Sequence, residues 1–151
     1  MQATFTHLRQ TRQNIFKIVE SYGLEQLNVI PQGFNNNLIW NFGHVLVTQQ
    51  LLCYRLAGLE AAFENKVIDA YRKGSSPKEP ASETELQNFK NHCFSLLDQL
   101  EKDYAAGLFQ NYKPYPTSFG VTLNNIEEAI QFNTIHEAMH LGTMIALRKL
   151  V

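Results

Sequence analysis

The sequence predicts an all-α protein, a four-helix bundle, on three observations. Four long segments repeat apolar residues at helical spacing, and none shows the alternation of a strand. Capping residues or glycines also punctuate the segment ends.

Phe5, Leu8, Arg12, Ile15, Phe16, Val19 and Tyr22 recur at helical spacing, predicting a first helix over about residues 4–22 that Gly23 closes. Ile30-Pro31-Gln32-Gly33-Phe34 is turn material. Asn35 to Asn37 offer N-cap side chains to a second helix over about 37–57, which Gly58 stops. This helix is apolar nearly all round, from Leu38, Trp40 and Phe42 to Leu51, Leu52 and Tyr54, so it should be central. Gly43 in its interior costs about 1 kcal/mol relative to Ala. Close approach of another backbone, or of an ion beside His44, is one reason to keep it.

The chain from 58 to 81 reads as a long connection, with a short helix over about 64–72 and a solvated loop from Gly74 to Pro80. Ser82 and Glu85 form a capping box for a third helix over about 83–106, with Phe89, Cys93, Leu96, Leu97, Leu100 and Tyr104 as its buried stripe. Gly107 ends it. Asn111 to Gly120, with Pro114, Pro116 and three aromatics, reads as an ordered loop or a short extended piece. Asn125 and Glu128 form a second capping box for a last helix over about 126–150. The long connection between the second and third helices lets those two run parallel.

At 151 residues the chain is expected to be one domain spanning residues 1–151. Hydrophobic content of 44% and charged content of 18% exclude disorder. A formal charge of −1, with basic residues scattered from Arg9 to Lys149, excludes an electrostatic basis for nucleic-acid or anionic-membrane binding. No apolar run is long enough for a membrane span, and Met1-Gln-Ala-Thr-Phe-Thr-His lacks the features of a signal peptide. Cys53 and Cys93 sit in apolar helical patterns, so they are expected to be buried free thiols of a cytoplasmic protein.

The chemistry concentrates in His136-Glu137-Ala138-Met139-His140. Residues four apart on a helix share a face, so both imidazoles can reach one ion. The spelling H-E-x-x-H is that of metalloproteases, where the Glu is a general base. Those proteases take a third ligand downstream, whereas Leu141 to Val151 hold no His, Asp or Glu. Glu137 with His140 also spells E-x-x-H, the unit of di-iron bundles, but no second such unit exists in the chain. The third ligand must come from earlier, and His44, midway along the central helix, is the best candidate. Three histidines with an open position is the stoichiometry of a catalytic site. Neutral imidazoles are the ligands, so metal affinity should fall below about pH 6.

Glu137 is a candidate base, or equally a surface or supporting carboxylate. Asn41 and Asn133 are candidates to orient ligands or substrate. Trp40 and the aromatics of Tyr112 to Phe119 are candidates to line a pocket mouth, with core filling the better expectation for Trp40. His7 and His92 read as solvated or core-edge histidines. The cysteines have no basic neighbour in their motifs to activate them.

Asn37-Leu-Ile-Trp40-Asn-Phe-Gly-His44, continuing to Leu52, resembles the second helix of the DinB-like superfamily. Phe132-Asn-Thr-Ile-His136-Glu-Ala-Met-His140-Leu-Gly142 resembles its last helix, and the resemblance spans essentially the whole chain. It implies an up-down-down-up bundle, commonly dimeric, with His44, His136 and His140 holding one divalent ion. Zinc or nickel is expected first, with iron and manganese as further candidates. Relatives include thiol-dependent transferases and metal-dependent hydrolases. One departure is Thr143, where relatives often carry Gln.

Two functions are therefore expected as rivals. One is a metal-dependent enzyme activating a low-molecular-weight thiol or water, for S-transfer to a small-molecule substrate or for hydrolysis. The other is a non-catalytic dimeric bundle with a structural or vestigial metal site, in binding or stress response.

Overall fold

A computed structural model describes residues 1–151. Six α-helices occur in the order α1 (Gln2–Glu20), α2 (Leu24–Asn28), α3 (Leu38–Cys53), α4 (Asn65–Tyr71), α5 (Glu83–Ala105) and α6 (Ile126–Leu147). The four long helices pack as a ring in which α1 and α3 each touch both α5 and α6. The all-α class is as expected. The one sheet is a hairpin of two short antiparallel strands, β1 (Tyr115–Pro116) and β2 (Thr122–Leu123), with Tyr115 opposite Leu123.

The caps follow the sequence signals closely. Asn37 accepts the Trp40 backbone N–H at 2.8 Å, Ser82 accepts that of Glu85 at 3.2 Å, and Asn125 accepts that of Glu128 at 2.8 Å. Glu128 does not complete its box on Asn125. Its carboxylate accepts the backbone N–H of Asn124 instead, at 2.7 Å.

Three boundaries differ from expectation. The short helix α2 follows Gly23, whose N–H donates to Gln26 Oε1 at 3.3 Å. α3 stops at Cys53, not near residue 57, because the Tyr54 carbonyl accepts from both Ala57 and Leu59 and tightens the chain into a 3₁₀ turn over Arg55–Ala57. Gly58, at φ 75°, then takes the left-handed conformation that ends the turn. α6 ends at Leu147, and Arg148 to Leu150 form a terminal turn.

Buried apolar side chains form two clusters separated along the bundle. α3 and α5 feed the larger one with their N-terminal halves (Leu38 to Val47, Leu86 to Leu96), and α1 and α6 with their C-terminal ends. The smaller cluster takes Phe5 of α1, Leu52 and Cys53 of α3, Leu100 of α5 and Ile126 to Phe132 of α6. The helix stretches between the clusters carry the buried polar residues Arg12, Gln49, Asn133, His136, Glu137 and His140, and His44 adjoins them from the α3 stretch of the larger cluster. A polar layer thus crosses an otherwise apolar bundle, and such groups must be paired or must bind something.

Gly43 has a different reason from either one expected. A Cβ there would sit 2.5 Å from Tyr71 Cδ1 and 2.8 Å from Phe89 Cε2. The close approach is by two aromatic side chains, not by backbone or an ion.

Candidate metal centre

His44 comes from the middle of α3, and His136 and His140 from successive turns of α6. Each of the three offers a ring nitrogen, and these nitrogens all lie within 4.8 Å of one another. The rings are 5 to 8% exposed, nearly buried but open to the cavity they line.

Two of the three rings are oriented by hydrogen bonds that also fix their tautomers. His44 Nδ1–H donates to the Tyr71 carbonyl at 2.6 Å. His140 Nδ1–H donates to Asn41 Oδ1 at 2.8 Å. The Asn41 amide is itself pinned, because its Nδ2 donates to Asn36 Oδ1 and to the Asn37 carbonyl at 3.0 and 2.7 Å. With Nδ1 protonated in both rings, both present a bare Nε2 lone pair to the common space, as histidine ligands do. Asn41, one of the supporting residues expected from the sequence, therefore stands directly behind a proposed ligand.

The donor set fits a divalent ion. His44 Nε2 and His136 Nε2 stand 3.2 Å apart. Two imidazole nitrogens about 2.0 to 2.1 Å from a shared tetrahedral ion stand about 3.3 Å apart. His136 is the least supported ring, since its Nδ1 is buried and has no hydrogen-bond partner. Asn133 Oδ1, one turn earlier on the same helix, is buried and unpartnered too.

Electrostatics favour the neutral, ligating form. Burial lowers the pKa of His44, opposed by its bond to the Tyr71 carbonyl. Burial first, then the neighbouring rings, lowers His136 to about 2 and His140 to about 3. Three imidazoles this close cannot all carry protons, and in the neutral form they could hold a metal ion.

A cavity of about 390 Å³ opens onto the triad. That is within the range of small-molecule sites, roughly 300 to 1,000 Å³. Trp40 is both pocket wall and core: it stacks on His44 with ring centroids 4.6 Å apart, and its Nε1–H donates to the Ala70 carbonyl and to Ser75 Oγ. Of the aromatics in the 112–119 segment, Tyr115 and Phe119 line the cavity. Phe119 meets Phe132 edge-on at 5.3 Å. Tyr112 instead donates its hydroxyl to the Leu52 carbonyl. Sequence reasoning missed Thr48, whose hydroxyl lies 3.3 Å from His44 Nε2; its place one turn after His44 was the available signal.

Glu137 is occupied elsewhere. It is fully buried and forms an ion pair with the equally buried Arg12 through both carboxylate oxygens. Asn133 Nδ2 donates to the same carboxylate at 2.9 Å, so Asn133 supports Glu137, while its own oxygen stays free. Neither Glu137 nor Asn133 lines the cavity. His7 is exposed, and His92 lies at the core edge, its Nδ1–H donating to the Asn88 carbonyl. Cys53 and Cys93 are free and buried, and burial raises the pKa of both thiols, that of Cys93 to about 12.

Together, the helical frame and the convergent imidazoles define a bundle with a buried histidine triad suited to a metal ion. Residues 7–144 match the DinB superfamily, and the chain belongs to it. No curated protein matches the chain. No helix is long and apolar enough to cross a membrane.

Proposed function

We propose that the protein is a metal-dependent enzyme. It holds one divalent ion on His44, His136 and His140 and activates a low-molecular-weight thiol or water for S-transfer or hydrolysis of a small molecule. The observation that carries this reading is the convergence of the three rings on a common space that opens into a cavity. A purely structural site would be closed by a fourth protein ligand. Zinc or nickel suits an all-imidazole donor set.

When bound, such an ion lowers the pKa of a thiol or water and supplies a nucleophile near neutral pH. The chain's own residues do the rest. The Tyr71 carbonyl and Asn41 hold two rings with Nε2 inward. Trp40, Phe119 and Phe132 keep the cavity wall apolar and restrict water near the centre. Glu137 we assign to holding Arg12, not to moving protons. The homodimer is part of the proposal: α6 leaves Ile135, Met139 and Ile145 exposed, and that apolar surface supports it.

The test is elemental analysis of the purified protein beside His44→Ala, followed by cobalt substitution of the parent. The expected results are a single bound ion that the variant loses, and a cobalt spectrum that shifts when azide or a thiol is added. Metal retained in His44→Ala would remove His44 from the triad. A spectrum indifferent to both additives would make the site structural.

A further inference from the structure

The cavity carries more chemical information than its metal end. Along α3 and the turn after it, His44, Thr48, Leu51, Leu52 and Arg55 all line it. Their spacing of four, three, one and three residues makes a continuous strip on one helix face. At 1.5 Å per residue, the floor from His44 to Arg55 covers roughly 16 Å of backbone. Between its ends the strip is Thr48 beside His44 and then two leucines, and Phe119 and Phe132 wall it from other elements.

The charges of the lining are all of one sign. Apart from the three histidines, the charged side chains in the wall are Arg55 and Lys73, and no Asp or Glu lines the cavity. Neither cation forms an ion pair with a carboxylate. Arg55 is held in place nonetheless, and the backbone beside Lys73 is tethered. Arg55 Nη2 donates to Asn65 Oδ1 at 3.0 Å, at the start of α4. Lys73 sits on the segment after α4, which is tied to α3 by the bonds from His44 to the Tyr71 carbonyl and from Trp40 to the Ala70 carbonyl and Ser75 Oγ. The bond that orients His44 therefore lies two residues from Lys73. Unpaired cations beside an apolar wall leave an attractive field that an anionic ligand would satisfy.

We infer that the cavity takes an amphipathic organic anion. Its reacting group points to the triad, its apolar body lies along Leu51, Leu52 and Phe132, and its anionic group meets Arg55 within the field that Lys73 shares. Neutral and cationic molecules of the same shape are selected against. This rests on the cavity being the reaction site proposed above, and it names the class of substrate for that site.

Trp40, the chain's single tryptophan, lines the cavity, so its fluorescence reports occupancy. Metal-free protein is used first, so that no bound ion can hold the added anion and any preference is read against Arg55 and Lys73 in the wall. Octanoate, octanamide and octylammonium are titrated near neutral pH, followed by Trp40 fluorescence and calorimetry. Octanoate should bind roughly two- to fivefold more tightly than octanamide, the worth of an ion pair with solvent-exposed cations, and octylammonium more weakly than either. Arg55→Gln/Lys73→Gln, altering two exposed side chains, should erase that preference and leave circular dichroism and metal content at parental values. Equal binding of octanoate and octanamide overturns the inference, as does a preference that survives in the double variant. Metal content is read separately. A chain that binds no metal yet prefers octanoate refutes only the metal-centre reading, and one that binds metal without the preference refutes only this inference.

Discussion

The Arg12–Glu137 pair gives the sharpest test of how the centre is built. Both side chains are fully buried, and Arg12 also donates to Gln49 Oε1 at 3.1 Å and to the Cys93 carbonyl at 2.8 Å. Glu137→Gln keeps the size of the side chain and removes its charge. The new amide must place an NH₂ where a carboxylate oxygen was. One oxygen accepts from Arg12 Nη2 and Asn133 Nδ2, the other from Arg12 Nε. Either orientation of the amide therefore faces a donor with a donor, and the guanidinium is left buried without its counter-charge. Removing one partner of a buried pair costs about 3 to 5 kcal/mol. That is a large share of the roughly 5 to 15 kcal/mol that keeps a domain folded. For a chain of this size it corresponds to a melting temperature lower by roughly 6 to 20 °C.

Urea unfolding followed by circular dichroism, with thermal melts beside it, measures the loss. The control is Arg12→Met/Glu137→Leu, which replaces the pair by apolar groups of similar size and should recover most of the stability. Were Glu137→Gln to unfold within about 0.5 kcal/mol of the parent, the buried pair would not be holding the layer, and the carboxylate would have to be reassigned to the reaction.

Two further outcomes are expected. In Gly43→Ala the new methyl meets Tyr71 and Phe89 at under 3 Å, so overpacking of about 1 to 3 kcal/mol should outweigh the gain of about 1 kcal/mol in helix propensity. Metal affinity should fall with it, because Tyr71 carries the carbonyl that orients His44; calorimetric titration with zinc checks this, and unchanged affinity would uncouple the two. In metal-free protein His136 and His140 stay neutral while imidazoles of the unfolded chain take up protons below about pH 6.5. Stability should therefore hold above that pH and fall as pH drops toward 3, His136 and His140 each costing about 1.4 kcal/mol by about pH 5.5. Urea midpoints at the two ends of that window, parent against His136→Ala/His140→Ala, should show a shallower slope in the variant; equal slopes would refute the linkage.

Burial also changes the expected pH dependence of metal binding. An ordinary imidazole value places proton competition for the metal near pH 6. In the folded site burial lowers all three imidazoles from that ordinary value, so metal should be retained to lower pH than an exposed imidazole site allows while the fold persists.

How much could be read in the sequence depends on whether a feature is local. Helix caps at Asn37, Ser82 and Asn125 act over three residues, and the His136–His140 spacing acts over one turn, so both were legible. His44 was reachable because one helix could supply only two ligands. The role of Glu137 was not reachable in the same way, since its partner lies 125 residues away on α1. A signal was present all the same. Arg12 stands in the apolar stripe of the first helix, between Leu8 and Ile15, where a lone cation would be costly. Glu137 stands in a helix whose apolar residues run nearly all round. Two opposite charges, each at a buried register with no local partner, are best satisfied by each other. Helical periodicity reports only that a position is buried; pairing such positions across helices is what separates Glu137 from the catalytic candidates.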